Sequence, residues 1–222
     1  MISIVFPTRK RPDNLRRLYA SLLETSVTMP ELVLYIDSDD EESVYVAREL
    51  GLNYAQGPRQ ILAKSYNDAA LLAQGEVLMF GADDIVFREK QWDVKVLAEF
   101  AKFKDRIAFV YSNDGGRTDE LGTHGFVHRN WVSTVGYLLP PYFETWYVDN
   151  WITDVATALG RRIYLPYIIA EHMHWGFGKA QKDETYNTAE AKQAADTSRW
   201  NALKHKKLED VEKLKAFIEA YR

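Results

Sequence analysis

Residues 79–87, MFGADDIVF, run apolar, break for two adjacent aspartates, Asp83 and Asp84, and turn apolar again. Ionised carboxylates side by side repel each other and lose hydration beside a buried segment, so the pair needs water or a cation. The stretch just before it, EVLMF (76–80), reads as a buried strand that delivers the pair to the end of a sheet. Acidic side chains at a strand's carboxyl end suit a hard divalent cation, Mg2+ or Mn2+, shared between carboxylates and phosphate oxygens. Neighbouring residues of a regular strand point to opposite faces, so both aspartates reach one ion only where the strand has already turned. A solvated turn or a helix cap is the plain alternative, since such turns commonly hold Asp.

Working outward, ISIVF (2–6) is a second continuously apolar strand, ended by Pro7. PTRKRPDNLRRLYASLLE (7–24) follows as a polar turn and a helix, with Asp13 as N-cap and Leu15, Leu18, Leu22 and Leu23 on one face. ELVLYID (31–37) predicts a strand that runs into the acidic turn SDDEE and a helix over 42–50. A short strand around LNYAQ leads through GPRQ to the helix ILAKSYNDAALLAQ, with Gly75 in the position of a C-cap. This β-α-β-α alternation predicts an α/β sandwich with right-handed crossovers and ligands beyond the carboxyl ends of the strands. Residues 7–12, 37–42 and 81–84 then share one rim.

The second half is less regular. WDVKVLAEFAKF (92–103) predicts a helix and RIAFVYS (106–112) a strand, followed by the glycine-rich loop NDGGRTDELG. GFVHRNWVSTVGYLLPPYF is an apolar segment ending at a Pro-Pro turn, WYVDNWITDVATALG has helical spacing, and RRIYLPYIIAEHMHW reads as a late strand. From Gly176 the chain turns polar and ends in one amphipathic helix. The expected organisation is a core over 1–175 and an appendage over 176–222, with GFGKAQKDETY (176–186) as a mobile lid.

Composition narrows the classes. The 222 residues are 46% hydrophobic and 13% aromatic, enough for a large core in one domain or a domain with an appendage. A net charge of -4 gives no general attraction to nucleic acid or an anionic membrane. With no cysteine, disulfides, thiolate-bound zinc and thiol nucleophiles are excluded. No run approaches the ~18 apolar residues of a membrane span, and the basic residues of MISIVFPTRKRPD follow its short apolar stretch, the reverse of a signal peptide. The expectation is a cytoplasmic protein without membrane insertion.

EHMHW adds to the aspartates. On an extended segment His172 and His174 share one face while Met173 meets the core, and paired imidazoles at that spacing make a metal or phosphate site. A lone histidine would more often be a hydrogen-bonded structural residue. Trp146, Tyr147 and Trp151 either stack on a ligand or pack the core, with core favoured for Trp151. His124 and His128 bracket GFV in a suggestive position; Arg129 and the KHKK cluster (204–207) read more plainly as surface charge.

Taken in order, ISIVFPTRKRPDNL, YIDSDDE, AKSYNDAALLAQGEVLMFGADDIVF, YVDNW and EHMHW resemble the GT-A class of nucleotide-sugar glycosyltransferases, specifically family 2 in a short, bacterial or bacteriophage-type form, over residues 1–175. The resemblance implies a Rossmann-like α/β/α sandwich with a mainly parallel central sheet and a C-terminal helical extension. It implies that Pro7, Thr8, Arg9 and Arg11 line a nucleotide pocket, that Asp37 with Asp39 meets the base or ribose, and that Lys64 and Asn67 lie near the nucleotide or its phosphates. Asp83 would ligate a Mn2+ or Mg2+ ion on the diphosphate, Asp84 would ligate it too or hold the sugar, and His174 or His172 would complete the set. Gly81 stands where the first aspartate of the family's Asp-x-Asp usually is, which leaves the ligand count open.

In such an enzyme the departing diphosphate gains charge that a cation and nearby Arg or Lys stabilise, and inversion needs a base on the acceptor side. Asp149 of YVDN stands where the family places that base, with helix capping as its plain alternative and Asp154 as substitute. A UDP-hexose is the implied donor; the acceptor is a glycan, a protein or a modified nucleic acid base, and the compartment for a bacteriophage form is the host cytoplasm. Two other readings stand beside this one: a nucleotidyltransferase of related fold, against which the glycine-free PTRKRP counts, and a nucleotide- or carbohydrate-binding module.

Overall fold

The computed structural model describes residues 1–221. Four parallel strands, β1 (Ile2–Thr8), β2 (Glu31–Asp37), β3 (Asn53–Gly57) and β4 (Val77–Phe80), are joined by α1 (Pro12–Thr25), α2 (Glu41–Glu49) and α3 (Leu62–Ala70). Val5, Phe6, Val33, Leu34 and Met79 are fully buried, as strands covered on both faces require. The chain continues through β5 (Ile85–Phe87), α4 (Trp92–Ala101), β6 (Phe109–Asn113), β7 (Gly125–His128), α5 (Arg129–Val135), α6 (Val148–Ala158), β8 (Arg162–His172), α7 (Glu184–Ala202) and α8 (Lys204–Glu219). One eight-stranded sheet results, in the order β3-β2-β1-β4-β7-β6-β8-β5, in which β7 and β5 run against the other strands. It is the mainly parallel α/β sandwich that the alternation predicts.

Several local expectations are corrected. Pro12 opens α1 with Arg11 as N-cap, and Asp13 lies inside the first turn; proline's fixed φ and missing N–H make it a favoured first helical residue. Helix α3 stops at Ala70, and Gly75 is no cap: its N–H donates to Ser3 Oγ at 2.8 Å, where a Cβ would sit 2.6 Å from that oxygen. The polar tail forms two helices, broken at Leu203.

The second of these is integral to the core. Val211, Leu214 and Ile218 of α8 are buried against α5 and α6, and the buried Asp210 carboxylate accepts bonds from the Tyr137 hydroxyl and, at 2.9 Å, from Trp151 Nε1. Leu214→Ala should therefore cost about 2–5 kcal/mol in urea unfolding. A loss below 1 kcal/mol would mean that α8 is only loosely attached.

Sheet direction positions the site. Because β7 runs antiparallel to β4 with Gly125 opposite Phe80, His124 falls beside the turn that follows β4. The register of β8 on β6 shifts at Ser112/Asn113, and the end of β8 pairs instead with β5, His172 opposite Ile85. The Met173 N–H then donates to the Asp84 carbonyl at 2.8 Å. Three distant segments thus meet at one strand end.

Candidate active site

A cavity of about 400 Å3 opens beyond the carboxyl ends of β1, β2 and β4. Pro7, Thr8, Arg9, Arg11, Asp37, Asp83, Asp84, Asp149, His172 and His174 all line it. Asp39 lies at the edge, 61% exposed, gripped bidentately by Arg9 at 2.5 and 2.8 Å; that hydrogen bonding holds its carboxyl down to about 2. Arg9 also reaches Asp37 at 2.9 Å, where burial outweighs the guanidinium and raises the carboxyl.

Lys64 and Asn67 depart from expectation. Lys64 is exposed and pairs with Asp68 at 2.6 Å, while Asn67 accepts from the N–H groups of Leu138 and Leu139 and donates to the Leu139 carbonyl at 2.8 Å, so that it fixes the backbone of Leu139 in the cavity wall without lining the cavity itself. Both follow from the α3 face on which they sit. Arg129 holds the carbonyls of Gly75 and Ala73, His128 caps α5, and Trp151 is core, with Lys207 over Trp200 and bonded to Asp154 at 2.5 Å. Asp154 is thereby placed outside the cavity. Trp146 lines it, with Nε1 donating to the Ala189 carbonyl at 2.7 Å.

The two aspartates have different surroundings. Asp83 accepts from Thr8 Oγ1 at 2.8 Å and from Arg11 at 3.2 Å, with Asn14 at 3.4 Å; burial and the neighbouring Asp84 charge nevertheless push it up. Burial also works against the Asp84 charge, but His172, His124 and the Tyr186 hydroxyl, which donates at 2.8 Å, hold its carboxyl below the usual range. Asp84 Oδ1 lies 3.3 Å from His172 Nε2. Ligand atoms of Asp84, His124 and His172 all fall within 4.8 Å of one another. Asp84 Oδ1, both ring nitrogens of His124 and Nδ1 of His172 are buried without a hydrogen-bond partner among the described residues. Burial lowers His124 to about 3, keeping the imidazole neutral and its lone pair free.

This trio differs from the set expected from sequence. Asp83 is committed to Thr8 and Arg11, and His174 uses Nδ1 to accept from Gly176 N at 3.0 Å as the cap of a 3-10 turn, Trp175–Phe177. His124 stands beside Asp84 and His172 in the cluster; its only sequence signal was a histidine just before an apolar strand. Tyr186 falls in the stretch expected as a lid, with nothing in the sequence to point it at Asp84.

Asp149 is the second residue of α6, half-buried in the cavity wall, with Oδ1 accepting from Asn150 N at 2.8 Å. Desolvation pushes its carboxyl up to about 6 against that bond, in the range useful to a general base. Helix α7 covers the opening. Asp183 pairs with Arg11 at 2.7 Å, Glu184 approaches Arg59 at 3.5 Å, and the Arg11 guanidinium lies 4.8 Å from the Tyr186 ring centroid.

The comparisons agree with this architecture. A mannosyltransferase, PcManGT from Pyrobaculum calidifontis in complex with GDP-Man and Mn2+, superposes with a TM-score of 0.62 at 14% identity, covering 89% of this chain and 62% of that one. Glucosyl-3-phosphoglycerate synthase from Mycobacterium tuberculosis, in complex with Mn2+ and UDP-glucose, gives 0.64 at 14% identity, covering 90% and 78%. Residues 1–349 of S. aureus TarS with UDP give 0.55 at 16%, covering 77% and 60%. The chain thus spans less than two thirds of the mannosyltransferase and of the TarS fragment. No curated protein sequence matches it. Among the described residues, no helix is long and apolar enough to cross a membrane. The sequence profile of Glycosyl transferase family 2 matches residues 3–159, which run from β1 past the end of α6 and carry both aspartates, His124 and Asp149. On that match the chain belongs to glycosyl transferase family 2, with the GT-A fold of the structures it resembles.

Proposed function

We propose that this enzyme moves a sugar from a nucleotide-diphosphate donor, a UDP-hexose, to an acceptor hydroxyl with inversion, in a reaction that depends on a divalent cation. One observation carries the reading: buried, unpartnered donor atoms of Asp84, His124 and His172 share a cavity with Arg11 and Asp149. Buried polar atoms in native proteins are almost always paired, and a cation would give Asp84 Oδ1 and one ring nitrogen of each histidine a partner, so the residues present fit one. When bound, it supplies Lewis-acid neutralisation of the departing diphosphate.

The chain's own groups do the rest. Asp149 takes the proton from the acceptor hydroxyl as that oxygen bonds to the anomeric carbon. The carbon–oxygen bond to the diphosphate breaks, and its electron pair leaves with the phosphate oxygen. Arg11 and Arg59 stabilise that oxygen's growing charge. Asp37, with Arg9 beside it, meets the base or ribose. Incubation with a panel of UDP- and GDP-hexoses, Mn2+ and simple acceptors should release UDP from at least one UDP-hexose. Release of GDP alone would overturn the donor assignment, and release of neither the transfer reaction itself.

In this reading residues 1–175 form the catalytic core, and residues 176–222 supply the lid and a packed helix. Asp196 of α7, fully buried, accepts from the N–H groups of Glu144, Thr145 and Trp146 and anchors the middle of the helix. Its start, by contrast, rests on Arg11 and Arg59, which phosphate would claim. UDP with Mn2+ should therefore change the rate of limited proteolysis within 176–186. Unchanged cleavage there would remove the lid.

A further inference from the structure

We propose that the metal centre of this enzyme is a two-imidazole, one-carboxylate site, with His124 as a ligand beside Asp84 and His172, and that it selects a transition ion such as Mn2+, Co2+ or Zn2+ over Mg2+. The inference rests on the metal-dependent reading above and names the ligands and the ion class.

Three observations carry it. First, oxygen donors are scarce. A Cβ on Gly81 would sit 2.7 Å from Ile4 Cγ2, so a carboxylate at 81 has no room unless Ile4 shifts. Asp83 spends Oδ2 on Thr8 and Oδ1 on Arg11. Asp84 is the one acidic member of the cluster.

Second, nitrogen donors are abundant and idle. The His124 and His172 rings stand edge to face with centroids 4.7 Å apart, and three of their four nitrogens are buried without a hydrogen-bond partner among the described residues. Buried ring nitrogens are usually paired, and coordination needs only one idle nitrogen on each ring. Antiparallel β7 places His124 beside the turn bearing Asp84, so its position is set by the sheet and not by a loose loop.

Third, the carboxylate is oriented from outside the trio. Tyr186 donates to Asp84 Oδ2, leaving Oδ1 toward His172. Partners of this kind fix ligand geometry around bound metals. Imidazole suits Mn2+ to Zn2+ progressively, whereas Mg2+ prefers near-octahedral oxygen and gives up water reluctantly.

The test reads metal binding directly. Mn2+, Co2+, Zn2+ and Mg2+ are titrated by calorimetry into wild type and into His124→Gln, with UDP present. Wild type should bind Mn2+ more tightly than Mg2+, and His124→Gln should weaken Mn2+ and Co2+ by roughly 10–100-fold or more. Nitrogen-15 spectra of the wild-type histidines on adding Zn2+ give a second readout that needs no folded variant. Two of the five side chains should shift as coordinated imidazoles. Unchanged Mn2+ affinity in a folded His124→Gln, or a single coordinated imidazole, overturns the proposal and leaves a metal-dependent transferase standing. No metal binding by wild type overturns both.

Discussion

Asp149→Asn should lower kcat by about 100- to 10,000-fold, the usual worth of a positioned general base, and leave Mn2+-dependent UDP affinity essentially unchanged. The amide keeps the shape of the side chain at the start of α6 but cannot take a proton. Wild-type kcat should rise with pH through about 6, where burial holds this carboxyl, because its protonated form below that value cannot act as base. Asp83, also raised, lies against Arg11 and Thr8 rather than on the acceptor side, so the limb vanishing with Asp149→Asn identifies its origin. A variant within tenfold of wild type, with the limb intact, would reduce Asp149 to a helix-terminal residue. Asp154 then offers no replacement, since Lys207 holds it outside the cavity.

The strands that build the floor were legible because parallel strands covered on both faces write themselves as unbroken apolar runs, as in ISIVF, ELVLYID and EVLMF. Punctuation was legible in part: the Asp83-Asp84 break marked a strand end, and strand ends line the cavity in an open sheet, whereas Pro7 lies inside β1, which pairs with β2 as far as Thr8. Lys64 and Asn67 could not be placed from sequence because a helix displays several faces, and spacing does not say which one meets a ligand; the α3 face carrying them pairs with Asp68 and residues 138–139 and does not line the cavity. His124 could not be weighted because its place depends on β7 running antiparallel to β4, a pairing between segments almost fifty residues apart that periodicity does not encode. The contacts of Tyr186 and Asp183, within the stretch expected as a lid, were hidden for the same reason in stronger form. Both residues lie in a polar stretch with no apolar face, and only tertiary packing brings them over Arg11 and Asp84.

Asp84→Asn bears most directly on the central claim, that the buried trio holds a cation which in turn holds the donor's diphosphate. Asparagine fills the same space and keeps an oxygen, but it loses the one negative charge in the cluster. The variant's own stability will differ from wild type, so the informative quantity is the change in Tm that UDP adds within each protein. For wild type with Mn2+ and UDP at one hundred times its Kd, mass action stabilises the native state by about 2.7 kcal/mol. At roughly 2–4 °C per kcal/mol for a chain of this size, Tm should rise by about 5–10 °C. Without Mn2+ the rise should be small, and in Asp84→Asn the two conditions should coincide. A full Mn2+-dependent rise in Asp84→Asn, or equal rises with and without Mn2+ in wild type, would contradict the account.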